Sequence, residues 1–253
     1  GTFWHGLGLA KFRAGSLGAG TNALRRAIEL MPDNPEAHNN LGNLQRESGN
    51  LRDAVSSYTR ALELKSDFGE AFGNLGFVFL GLGELLDAEK ALSTAAQIRP
   101  KDPVILTNLG CVFAASGRMT DATLCHRKAL KLDINNTSAL NNLAVSLKDQ
   151  GKINDALKVY DRLIKLAPHD SSARSNQLMC LNYRDSYDGI TIFRSHRKWE
   201  ENLKKPIKSF TPFNKTPLGP LKVGIVSPDL WTHSVANFLI PLLEYHDREE
   251  FHI

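Results

Sequence analysis

A period of 34 residues runs through most of this chain and restricts what it can fold into. Asn40, Asn74, Asn108, Asn142 and Asn176 stand 34 apart. Leu41, Leu75, Leu109 and Leu143 keep the same step, and so do Gly42, Gly76 and Gly110, with Ala144 next in that column. Gly15, Gly49, Gly83, Gly117 and Gly151 form a further column. Two alanine columns, Ala54 to Ala156 and Ala27 to Ala129, follow the same spacing. Several independent columns at one period imply an array of one supersecondary unit. Such a unit cannot bury its apolar face alone, so neighbours must stack.

Each unit encodes two amphipathic helices. In the second unit, Pro35 and Glu36 suit a helix start, where no amide partner is needed and negative charge is favoured. Ala37, Leu41 and Leu44 recur at helical spacing. Gly49 suits the left-handed position that ends a helix. Asp53, Asp87, Asp121 and Asp155 fall in the first turn of the second helix. Val55, Tyr58, Ala61, Leu62 and Leu64 make its apolar stripe. Small residues in the glycine and alanine columns predict close helix approach. The pattern gives a first unit lacking its start, four full units, and a final first helix over 173–183. It resembles the tetratricopeptide repeat, a helix-turn-helix unit of this length, over about residues 1–185.

The asparagine column carries the first functional expectation. Asparagine is a mediocre helix former, because its side chain competes for backbone hydrogen bonds. Five at one repeat position need a reason. One reading is that they brace neighbouring units. The other is an asparagine ladder on the inner surface of the superhelix. An amide both donates and accepts, so it can pair with the backbone of an extended protein segment of any sequence. Asn40, Asn74, Asn108, Asn142 and Asn176 are the expected peptide-binding residues, with Asn39 and Asn141 widening the strip. Arg52, Lys90, Arg118, Lys152 and Lys158 read as solvated outer faces.

The register fails after Tyr183. Residues 188–203 stay helical in pattern, with Ile192, Phe193, His196 and Trp199 on one stripe. A helix capping the open end of the solenoid is expected there. Four prolines and a glycine between 206 and 220 then mark a linker, so 186–220 reads as cap plus linker. Residues 221–226 form a short apolar run of the kind buried in a parallel sheet. Ser227-Pro228-Asp229 breaks it, an amphipathic helix follows over 235–245, and 251–253 would start a second strand. This is the opening β-α-β of a Rossmann-like α/β domain, in which ligands bind beyond the strand ends. His233 lies in that turn, just before the helix. It reads either as a group that exchanges protons near neutral pH, with Ser227 and Asp229 able to orient it, or as a brace for the loop. The GxGxxG fingerprint is absent, which disfavours nicotinamide or flavin.

Composition excludes several classes. A net charge of +4 without basic-aromatic clustering does not argue for nucleic acid. No apolar run reaches the roughly 18 residues of a membrane span. Cys111, Cys125 and Cys180 lie in helical patterns and read as buried thiols in a reducing compartment. No CxxC or Cys/His array appears, so no metal is expected. There is no initiator Met and the chain opens in the middle of a pattern; both ends are expected to be cut, with 221–253 a truncated start of a catalytic domain.

The combination of asparagine-lined repeats, Asn182-Tyr183, the His196/Trp199 helix, and the run from Lys222 through Ser227-Pro228-Asp229-Leu230 to Thr232-His233-Ser234-Val235 resembles the protein O-GlcNAc transferase family. His233-Ser234-Val235 is similar to its SPINDLY branch, where animal members have His-Pro. The resemblance implies a mainly α solenoid followed by a GT-B type domain of two Rossmann-like lobes. It implies transfer of GlcNAc or fucose from UDP-GlcNAc or GDP-fucose to Ser or Thr of intracellular proteins, in the cytoplasm with the nucleus as a second compartment. It places His233 in the active site, as base or acceptor-orienting group, and implies no metal and no cofactor beyond the donor. The stretch 216–253 is far shorter than the roughly 100 residues one nucleotide-binding lobe needs, so the chain alone is expected to be inactive. The alternative is a non-catalytic repeat scaffold for protein partners. Self-association through the repeats is left open.

Overall fold

The structure, a computed structural model, describes residues 1–183, 189–202, 221–222 and 251–252. The chain divides into two compact units, Gly1–Glu200 and Glu201–Ile253.

The first unit is built of helical hairpins. The first helices of the repeats are α1 (Thr2–Arg13), α3 (Pro35–Glu47), α5 (Gly69–Leu82), α7 (Pro103–Ala115), α9 (Thr137–Asp149) and α11 (Ser171–Leu181). The second helices are α2 (Leu17–Leu30), α4 (Leu51–Leu64), α6 (Leu85–Ile98), α8 (Met119–Leu132) and α10 (Ile153–Leu166). α1 is nearly as long as its counterparts, so the first unit is more complete than its sequence pattern implied. The starts are capped by side chains at one column. Asn34, Asp102, Asn136 and Asp170 accept the amide hydrogens of Ala37, Ile105, Ala139 and Ala173. Phe68 breaks the column, and α5 has no side-chain cap.

The hairpin turns are set by Gly15, Gly49, Gly83, Gly117 and Gly151, with φ between 73° and 79°. A side chain there would be strained, which accounts for the unbroken column. Inside each hairpin a large residue of the second helix faces the small column of the first. A Cβ added at Gly42 would sit 2.6 Å from the Tyr58 ring, one at Gly76 2.6 Å from Leu92, and one at Gly110 2.4 Å from His126. Tyr58, Leu92, His126 and Tyr160 occupy this slot and are all fully buried. Each large apolar side chain so buried contributes about 1.5–3 kcal/mol.

Successive first helices touch one another: α1 meets α3, α3 meets α5, and so on to α11. Among the described residues successive second helices do not. The first helices therefore line the inner wall of the solenoid. Beyond α11, α12 (Gly189–Asn202) packs Ile192 and Trp199 against the core cluster containing Leu157, Leu178 and Leu181. Phe193 and His196, expected on the same stripe, are exposed. Among the described residues no helix is long and apolar enough to cross a membrane.

In the second unit, β1 (Leu221–Lys222) pairs in parallel with β2 (Phe251–His252), Leu221 opposite Phe251. These are the ends of the expected β-α-β. The 186–220 linker beyond α12, the helix expected over 235–245, and His233 with Ser227 and Asp229 lie outside the described residues, so the Rossmann-like start is not part of the observed fold.

Candidate peptide-binding surface

All five ladder asparagines sit on first helices and are half-buried, which places them along the inner wall. Their side chains are not free rungs. Asn40 Nδ2 lies 2.8 Å from His5 Nε2, Asn74 Nδ2 donates to Asn39 Oδ1 at 3.1 Å, and Asn176 Nδ2 donates to Asn141 Oδ1 at 3.4 Å. In each case the partner lies 35 residues back, on the preceding first helix. Asn142 Nδ2 turns instead to Cys111 Sγ, 3.1 Å away, while its Oδ1 accepts from Asn141. Asn108 has no side-chain hydrogen bond among the described residues. Four of the amides therefore brace adjacent repeats with one N–H. The carbonyl oxygens of Asn40, Asn74 and Asn176 accept nothing within the described residues.

Asn39 was expected to widen the polar strip, but it is only 2% exposed. It donates to Glu70 Oε1 at 3.0 Å while accepting from Asn74, so it is an inter-repeat strut. Asn141 remains half-buried and at the surface.

Between the second and fourth first helices the wall opens into a groove of about 440 Å³. Asn74, Asn108, Gly73 and Ile105 line it together with Phe77 and Val104, which are 44% and 59% exposed. Its two arginines are paired with carboxylates, and Glu70 adds one further negative charge. Arg46 contacts Glu47 at 2.8 Å and its guanidinium lies 5.5 Å from the Phe77 ring centre, Arg99 contacts Asp102 at 3.0 Å, and Glu70 accepts from Asn39. Sequence reasoning passed over Phe77, Gly73 and Val104. Phe77 lies three residues beyond Asn74, one helical turn along the same face, and that spacing would have found it. A second groove of about 490 Å³, among Leu106, Cys125, Lys128 and Leu132, holds no ladder residue.

The outer charges behave as solvated faces with local partners. Arg118 bridges Glu89 and Asp121 at 2.8 and 2.9 Å and stacks 4.2 Å from the Phe113 ring centre. Cys125 and Cys180 are buried free thiols; Cys111 is half-buried, contrary to expectation, and burial raises the pKa of all three. Among the described residues no group of His, Cys, Asp or Glu could hold a metal.

A right-sized hairpin repeated at 34 residues, left-handed glycine turns and small-to-large packing inside each hairpin define a tetratricopeptide-repeat protein. Residues 2–190 match the family described as the Cilia and flagella-associated protein 70 C-terminal domain, and the chain belongs to that family. Its repeats are also similar to the repeat region of proteins described as probable UDP-N-acetylglucosamine–peptide N-acetylglucosaminyltransferase SPINDLY. The protein from Oryza sativa subsp. japonica is 32% identical over 79 residues, 30% of this chain and 8% of that one. That from Hordeum vulgare is 33% identical over 73 residues, 28% of this chain and 8% of that one. The likeness thus covers under a third of the chain, where the residue motifs implied nearly all of it, and under a tenth of the relatives' length.

Solved structures share the fold. YrrB, described as a tetratricopeptide-repeat protein with an unusual peptide-binding site, superposes with a TM-score of 0.59 at 21% identity, covering 72% of this chain and 92% of that one. PilF of Pseudomonas aeruginosa reaches 0.69 at 19% identity, covering 83% and 92%.

Proposed function

We propose that this chain is a protein-binding repeat arm that holds extended segments of partner proteins along its inner wall. The observation that carries this reading is the row of half-buried amides on the first helices, opening at Asn74 and Asn108 into a groove with exposed Phe77 and Val104. The amides keep acceptor oxygens for a peptide backbone.

The similarity to SPINDLY repeats supports a finer reading: the arm belongs to a protein O-glycosyltransferase and delivers Ser and Thr of cytoplasmic or nuclear proteins to a nucleotide-sugar site. UDP-GlcNAc or GDP-fucose would be the donor and His233 the base or acceptor-orienting group. The second reading, a non-catalytic scaffold, is favoured by the family match, which covers the repeats and stops at 190.

One experiment separates the parts. Partner binding by the whole chain is measured for wild type and for the variant with all five ladder asparagines changed to Ala; loss of binding with retained helicity is the expected result, and unchanged binding defeats the arm. In the longest natural chain that contains this sequence, His233→Ala should lower sugar transfer at least about 100-fold. No transfer by that chain with either nucleotide sugar leaves the scaffold.

A further inference from the structure

The ladder has one rung unlike the others, and the cause lies one repeat away. Asn40, Asn74 and Asn176 each place Nδ2 on the side chain 35 residues earlier: His5, Asn39 and Asn141. For Asn108 that position is Gly73, which has no side chain. For Asn142 it is Thr107, whose hydroxyl donates to the Pro103 carbonyl at 2.7 Å, and Asn142 donates to Cys111 Sγ rather than to it. Asn108 finds nothing among the described residues. Gly73 therefore does two things at once. It removes the acceptor that would have tied Asn108 to the preceding helix, and it clears the space that becomes the 440 Å³ groove both residues line.

We propose that Gly73 and Asn108 make this groove the main grip on a partner, and that the occupant is an uncharged extended peptide segment with one apolar side chain. The inference rests on the reading of the inner wall as a peptide-binding surface and localises it. Asn108 offers a donor and an acceptor together, which matches one peptide unit of an extended strand. Phe77, Val104 and Ile105 form the apolar wall for the side chain beside that unit. Arg46 pairs with Glu47 and Arg99 with Asp102, and Glu70 adds one further carboxylate, held by the neutral amide of Asn39. A charged occupant would give up hydration against Phe77 and Val104, and would face Glu70 if acidic or have to draw it off Asn39 if basic. A neutral one avoids both costs.

The test uses the whole chain and a blocked nine-residue peptide of Ser and Gly with a central Leu, followed by NMR titration, with central Ala, Asp and Lys as comparisons. Gly73→Asn restores an acceptor opposite Asn108 and fills the groove. Gly73→Ala adds a methyl without an acceptor, and the added Cβ meets only the Ile105 side chain at 3.3 Å, so the helix tolerates it. Asn108→Ala and Gly73→Asn should each weaken the Leu peptide about tenfold, the scale of one lost hydrogen-bonded amide. Asn40→Ala/Asn176→Ala, rungs already tied to His5 and Asn141, should cost less than Asn108→Ala alone, Gly73→Ala less than Gly73→Asn, and the outer-face double variant Lys90→Ala/Lys158→Ala should leave binding unchanged. Far-UV circular dichroism checks that each variant is folded. Equal losses for all rungs would keep the peptide-binding surface but overturn the special place of Asn108 and Gly73. Tighter binding of the Asp or Lys peptide would overturn the uncharged occupant. No binding of any peptide by wild type would overturn this inference and the surface together.

Discussion

The second and fourth hairpins put different side chains into the same slot. In the second, Tyr58 lies flat against Gly42, and its hydroxyl donates to Asn43 Oδ1 at 2.8 Å. In the fourth, His126 lies against Gly110, fully buried, and neither ring nitrogen has a hydrogen-bond partner among the described residues. The backbone frame is the same, with Gly49 and Gly117 at φ 79° and 76°. One hairpin buries a polar group and satisfies it, whereas the other buries one and does not. Because each repeat contacts only its neighbours, such a local deficit stays local and marks where the solenoid opens first.

The largest expected effect comes from acid. Burial lowers the His126 pKa from 6.5 to about 4. The unfolded chain takes up its proton near 6.5 and the folded one only near 4. The neutral form's advantage is therefore complete above pH 6.5, falls away between 6.5 and 4, and declines no further below. The loss amounts to on the order of 3 kcal/mol. Leu92 fills the same slot against Gly76, so His126→Leu should fit. Urea unfolding of wild type and His126→Leu at pH 7 and pH 4 should diverge by that amount at the lower pH. Parallel curves would erase the contrast between the hairpins. Hydrogen exchange at pH 4.5 sharpens it: α7 and α8 should lose protection before α3 and α4.

Next in size is the glycine under each ring. Gly42→Ala and Gly110→Ala force a methyl against Tyr58 or His126, at a cost of about 2 kcal/mol in thermal or urea unfolding. Similar losses in both hairpins would show that the slot, not its occupant, sets the packing limit. The smallest effect is Tyr58→Phe. Removing the hydroxyl from Asn43 should cost about 1 kcal/mol. No loss would mean that the tyrosine's hydrogen bond does not distinguish its hairpin from the one holding His126.

Much of this fold was legible because its determinants are local and repeat. Gly15 through Gly151 announced left-handed turns, and all five have them. Gly42, Gly76 and Gly110 announced close packing, and each meets a large side chain. The placement of the asparagine column on the inner wall was likewise legible from its position on the first helix. Less legible was what those amides touch. A 34-residue column suggests that equivalent side chains stack on one another, but the offset between neighbouring helices sets each amide against the residue 35 back. Asn39 was therefore hidden as a strut rather than displayed, and Phe193 and His196 turned outward when Ile192 and Trp199 took the core side of α12.

By itself the sequence determined the repeat, its turns, its packing columns and the wall on which the asparagines stand, because each depends on backbone conformation and side-chain size within one unit. Which asparagine is free, which histidine is stranded and where the wall opens were decided only by the tertiary structure. Those properties depend on pairs of residues brought together across a repeat boundary, Gly73 with Asn108 and Gly110 with His126, and a periodic column does not record what its members face.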